Sequence, residues 1–173
     1  MSEQLQCQIS SDTKDLNELH QTYSWIPDET MIRPTPQILD DKLIFSMFVL
    51  RNWMSYKDFI LDTHFKYNMD IEYGQKYFPG PVTKSEWNFQ KSLFPYNVPN
   101  DVNHYFLWNS LYDYFADINE ETINTIIKDT LTSMLNTDLF DFVWYKNPKP
   151  SIPELWHCQV FWIRCNARKD SSH

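Results

Sequence analysis

Apolar positions are distributed unevenly along the chain, and their spacing changes character several times. Residues 1 to about 18 are polar with few aromatics, the pattern of a mobile arm. Residues 23–36 carry Trp25-Ile-Pro and Pro34-Thr-Pro36, which suits an extended surface segment. From 38 to 53 apolar residues crowd too many sides for a clean period, so a buried helix is expected there. Ser55 followed by Asp58 resembles a capping box, and Phe59, Ile60, Thr63 and Tyr67 then recur at helical spacing, which predicts a helix over 56–66. Both glycines and Pro79-Gly80-Pro81 fall in 73–82, predicting a loop.

The second half is more regular. Residues 85–94 alternate through Trp87 and Phe89 and then slip, as an irregular strand would. Val102, His104, Phe106 and Trp108 alternate with Asn103, Tyr105, Leu107 and Asn109, a second strand. Ile123, Ile126, Ile127, Leu131, Met134 and Leu135 fall at i, i+3, i+4, i+8, i+11 and i+12, so a helix with one apolar face runs from Asp117-Ile-Asn-Glu120 to Asn136. Asp117, Glu120 and Glu121 at its start suit the helix dipole better than acid–base work. Strands over 139–145 and 155–164 are split by Asn147-Pro-Lys-Pro-Ser-Ile-Pro153. This order predicts an α+β fold: an antiparallel sheet of about five strands with a packed helix, preceded by a mainly helical N-terminal part. One domain over 19–165 is expected, with a polar tail over 166–173.

Composition narrows the chemistry. With two glycines in 173 residues, Gly74 and Gly80 stand one residue too far apart for a Walker loop, and a dinucleotide fingerprint needs three. Fifteen basic against twenty-three acidic residues give a formal charge of -8, which disfavours duplex nucleic acid as a partner. The longest apolar run, residues 43–50, is far short of the ~20 residues a membrane helix needs. No signal peptide is recognisable, so a cytoplasmic protein is expected. Cys7, Cys158 and Cys165 have no C-x-x-C spacing, and reduced thiols are the default. The histidines and cysteines form no H-x-H or H-E-x-x-H pattern, so neither a metal nor any other cofactor is expected.

The last strand carries the most chemistry. Trp156, Cys158, Val160 and Trp162 share one face, the natural core side; Leu155, His157, Gln159 and Phe161 share the other. His157 and Gln159 thus stand about 7 Å apart on one face. An imidazole can act as nucleophile or general base, and an amide beside it can orient a phosphate or carbonyl oxygen. The alternative is a histidine packed in a second layer and hydrogen-bonded to backbone.

The ordered series Ser92-Leu-Phe-Pro-Tyr96, His104 and its strand, the amphipathic helix, another strand, and Ser151-Ile-Pro followed by Leu155-Trp-His-Cys-Gln-Val160 resembles the histidine-triad (HIT) superfamily of nucleotide hydrolases and transferases. Its members read N-x-F-P-Y and then H-x-H-x-H or H-x-H-x-Q. The chain is more closely similar to a fungal family of uncharacterised proteins named for induction by N-acetylglucosamine. Its H-L-V-V-W, N-P-x-x-x-S-I-P and H-x-H-V-F correspond to His104-Tyr-Phe-Leu-Trp108, Asn147-Pro-Lys-Pro-Ser-Ile-Pro153 and His157-Cys-Gln-Val-Phe161.

The resemblance implies that His157 is the catalytic nucleophile, attacking the α-phosphate of a nucleotide or sugar-nucleotide. It implies phosphate contacts from Gln159, Ser151 and Ser92, and a base or sugar pocket lined by Phe94 and Tyr96, with Asn147 as a further candidate and His104 as another, although a histidine in the place of His104 often precedes the strand as a structural residue in HIT proteins. Two departures stand out: Leu155 replaces the first triad histidine, and Ser92 replaces the asparagine of N-x-F-P-Y. They support the alternative of a catalytically silent protein with a degenerate site, binding a protein partner or a glycan.

Overall fold

The computed structural model describes residues 34–165; the expected arm over 1–18 and tail over 166–173 lie outside the described residues. Three helices, α1 (Pro36–Asn52), α2 (Tyr56–Thr63) and α3 (Glu120–Leu135), and six strands, β1 (Asp70–Glu72), β2 (Gln75–Tyr77), β3 (Trp87–Lys91), β4 (Asn103–Asn109), β5 (Phe140–Tyr145) and β6 (His157–Arg164), make up these residues. The fold is α+β and its sheets are antiparallel.

The main sheet has four strands in the order β3-β4-β6-β5, not five. The difference lies in residues 70–77, expected in part to be loop. Tyr73 at φ +51° and Gly74 at φ +80° form the tight turn of a hairpin, β1-β2, which makes a separate two-stranded sheet. Two successive positive-φ residues match the right-handed twist of the flanking strands.

Helix boundaries follow local chemistry. The Thr35 side chain caps α1 by accepting from the Ile38 N–H, and Pro36 occupies the first turn, where no N–H is needed. Ser55 caps α2 by accepting from Asp58 N–H, as its spacing predicts. Asn119 caps α3, Glu120 and Glu121 fill its first turn, and Asn136 ends it in the left-handed region at φ +52°.

Each face of the main sheet is covered by a different part of the chain. Ile123, Ile127 and Leu131 of α3 pack on Leu107, Trp156, Cys158, Val160 and Trp162, the face expected to be core. The opposite face meets the N-terminal helices: Val49, Trp53, Phe59 and Ile60 cluster with Trp108 and Leu155. Farther along that face, Val102, Val143, Tyr145, Phe161 and Ile163 form a third cluster. Helix α1 departs from expectation. It exists, but Val49 is its one fully buried residue, and its apolar outer side is exposed.

No helix among the described residues is long and apolar enough to cross a membrane. Cys158 is a buried free thiol whose pKa burial pushes up. Cys165 is disulfide-bonded, which corrects the expectation of reduced thiols at that position.

Candidate functional site

Strand register brings the polar residues of the second face into rows. Trp108 of β4 stands opposite His157 of β6, and Asn88 of β3 opposite Trp108. One pleat along, Gln90, Phe106, Gln159 and Tyr145 line up across all four strands. Directly opposed residues point to the same face. The His157–Gln159 pair therefore faces the N-terminal helices, away from α3. Between sheet and helices lies a cavity of about 340 Å³, at the low end of the range for small-molecule sites.

His157 forms part of the cavity floor. Its ring stacks on Trp108 at 4.4 Å between centroids and 29° between planes, with Tyr114 at 5.0 Å behind it. Nδ1 lies 2.9 Å from the Leu155 carbonyl oxygen. A carbonyl can only accept, so Nδ1 carries the proton and Nε2 keeps its lone pair. Nε2 makes no hydrogen bond among the described residues, and the ring lines the cavity. Burial, opposed by the hydrogen bond to the Leu155 carbonyl and aided by the nearby Lys146 charge, depresses the imidazole pKa to about 4. At neutral pH the ring is uncharged and nucleophilic.

Gln159 is held from two sides. Its Nε2 donates to the Tyr96 hydroxyl at 3.3 Å. Its Oε1 and the Nε2 of His104 are both buried without a standard hydrogen bond. They are natural partners, because the Nδ1 of His104 accepts the Tyr96 N–H at 3.1 Å, which places the proton of His104 on Nε2. An interaction with Gln159 works against the lowering of the His104 pKa, which burial nevertheless takes to about 3. His104 stacks on Phe161 at 4.4 Å and does not line the cavity. It stands one layer back, behind Gln159 and Tyr96.

The structure thus brings Ser92, Phe94, Tyr96, Asn147, Ser151, His157 and Gln159 to one cavity and leaves His104 outside it. Ser92 is buried, its N–H donating to the His104 carbonyl at 3.0 Å. Ser151 is exposed at the rim. Leu155, in the place of the first triad histidine, is fully buried in the cluster with Val49 and Trp53. No polar group there reaches the cavity.

Several lining residues have no signal in the sequence. Lys42, Phe45 and Ser46 come from α1, Tyr56, Phe59 and Ile60 from α2, and His64 from the end of α2. Ser46 and Tyr56 hydrogen-bond through their hydroxyls across the two helices. His64 Nδ1 lies 2.7 Å from the Thr63 hydroxyl, and burial takes its pKa down to about 4. Lys42 merely flanks the apolar run and Lys91 merely falls within the strand expected over 85–94; docking of α1 on the sheet makes both lining residues. Two lysines and two histidines line this cavity, and no Asp or Glu does, in a chain of net charge -8. Among the described residues no cluster of His, Cys, Asp and Glu could hold a metal ion.

No family model matches the chain, and no curated protein matches it. The crystal structure of HTC1 is similar over 82% of this chain and 79% of the other, at 14% identity and a TM-score of 0.47. A likeness of that size carries no argument about fold or activity.

Proposed function

We propose that the cavity binds a nucleotide or sugar-nucleotide, in the manner of a HIT-like protein, and that His157 is its nucleophile. The observation that carries this reading is the neutral imidazole of His157, with Nδ1 tied to the Leu155 carbonyl and Nε2 free, in an acid-free cavity shared with Lys42, Lys91, Ser92 and Ser151. Lysines and hydroxyls suit phosphate oxygens, and the lining aromatics suit a base or sugar ring. In the reaction so read, the Nε2 lone pair attacks phosphorus and forms an N–P bond. The anhydride P–O bond breaks, and its electron pair leaves with the departing phosphate. Water or another acceptor then cleaves the N–P bond, giving hydrolysis or transfer.

A second reading, binding without turnover, is favoured by Leu155: no polar side chain at that position can steer a leaving group. The test is thermal unfolding of the full chain with nucleoside mono- and diphosphates, nucleotide sugars and inorganic phosphate. A ligand at 100 times its Kd stabilises by about 2.7 kcal/mol. At least one nucleotide or nucleotide sugar should stabilise the wild type and lose most of that effect in Lys42→Ala and His157→Ala. Equal shifts in wild type and His157→Ala, or none at all, overturn the proposal. Stabilisation with no acid-labile phosphoryl adduct on His157 and no product selects the silent reading.

A further inference from the structure

The outer side of α1 presents the largest run of exposed apolar residues along any one element: Leu39, Leu43, Ile44, Met47, Phe48 and Leu50, with Leu43, Ile44 and Met47 each 64–68% exposed. At ~100° per residue these positions share one side of the helix, about half its circumference. Phe45 and Val49 point the other way and pack in the N-terminal cluster. An apolar surface of this extent marks a contact site. Two charges interrupt it, and their placement identifies the partner.

Asp40 and Arg51 stand at opposite ends of the exposed side, eleven residues and about three turns apart. On the same wheel both fall near the middle of the apolar sector, about 20° apart and beside Met47. Both are exposed, and among the described residues neither side chain makes a hydrogen bond or ion pair. Turning a second copy of α1 by a two-fold axis between Phe45 and Ser46 reverses the helix direction. It sets residue 40 against residue 51 of the other copy, and 43 against 48, and 44 against 47. The central apolar residues Leu43, Ile44, Met47 and Phe48 then meet one another, Leu39 and Leu50 stand level with Asn52 and Asp41 at the flanks, and Asp40 meets Arg51 at both ends. A helix whose exposed side is complementary to itself in this sense fits an isologous contact.

We infer that α1 is a self-association surface, on which two copies of this chain pair antiparallel through Leu43, Ile44, Met47 and Phe48, bracketed by two Asp40–Arg51 ion pairs. The shallow ~20° crossing of antiparallel helix pairs keeps both ends within side-chain reach. The contact uses the side of α1 turned away from the cavity, to which Lys42, Phe45 and Ser46 contribute. Its outcome is therefore independent of the nucleotide proposal.

Sedimentation equilibrium of the full chain between about 1 and 100 μM, spanning micromolar affinity, should give a particle of twice 20.9 kDa. Met47→Asp should give a monomer with unchanged far-UV circular dichroism. Asp40→Arg and Arg51→Asp should each raise the dimer Kd about tenfold or more, by setting like charges opposite one another. An equimolar mixture of these two variants should dimerise as the wild type does, because each then meets its opposite, and the double variant should recover likewise. A wild-type chain that stays monomeric overturns the inference, whether residues 1–33, another protein or a lipid surface covers the helix. A dimer indifferent to all of these charge changes overturns it equally.

Discussion

The two faces of the main sheet are built for different purposes. Toward α3 the packing is dry and hydrocarbon: Ile123, Ile127 and Leu131 interlock with Trp156, Cys158, Val160 and Trp162. Toward α1 and α2 the same strands present His157 and Gln159 at a cavity, with His104 one layer behind them, all three buried. Buried imidazoles and an amide are costly unless satisfied. Here Leu155, Tyr96 and one another supply most of the partners. Ile123, Ile127 and Leu131 make the α3 face a source of stability, while the other face keeps polar groups that aliphatic residues could replace at little cost. The contrast teaches that side-chain type on alternating positions of β6 separates hydrocarbon packing from buried polar groups beside a cavity within one strand.

The comparison breaks most visibly at Trp156. Truncation to Ala should cost about 3–5 kcal/mol, as for other fully buried aromatics, measured by urea unfolding. A loss under about 1 kcal/mol would mean that this face is not the structural one.

Acid should reach the other face alone. His104, His157 and His64 have folded pKa values of about 3, 4 and 4 against an ordinary 6.5. Between those values the unfolded chain binds protons that the folded chain does not, so stability is intact above pH 6.5 and falls as pH drops toward 4. Each histidine should remove about 1.4 kcal/mol between neutrality and pH 5.5. Unfolding midpoints at pH 7.5, 6.5 and 5.5 check this, and replacing His157 by Ala should flatten the slope by one histidine's share. A profile without slope, or a slope unchanged in that variant, would contradict the burial of an uncharged ring.

The smallest effect sharpens the contrast. Gln159→Leu should change stability by less than about 1 kcal/mol, since it removes a buried Oε1 without a standard hydrogen bond. On the proposed function it should nonetheless weaken binding of a nucleotide or nucleotide sugar. Loss of several kcal/mol would move Gln159 into the structural class.

Much of this arrangement was legible in the order of residues. The 3.6-residue spacing of Ile123, Ile127 and Leu131 anticipated α3 and its buried side, because a helix must hide its apolar stripe. Alternation along 155–164 anticipated which side of β6 would be core and that His157 and Gln159 would share the other. Ser92, Phe94, Tyr96, Asn147 and Ser151 were expected beside them, and they line the same cavity. His104 was a candidate there too, beside the reading of a structural histidine, and the ring is buried outside the cavity. Its alternation with Phe106 was right, but depth along a sheet is set by what packs on it, and Tyr96 covers that ring.

Tertiary structure alone decided the rest. Local spacing can specify a helix over 36–52 but cannot say which side meets the sheet when apolar residues occur all round. Docking turned Lys42 and Phe45 inward to the cavity and left Met47 outside. The Tyr73–Gly74 hairpin escaped notice because three-residue strands carry too few alternating positions to read. Charge sign within the cavity is likewise a matter of assembly: a chain with an acidic surplus encloses a hollow lined by lysine and histidine, because residues distant in sequence meet there. Periodicity fixes which neighbours a residue has along its own element; only packing between elements chooses those across the gap.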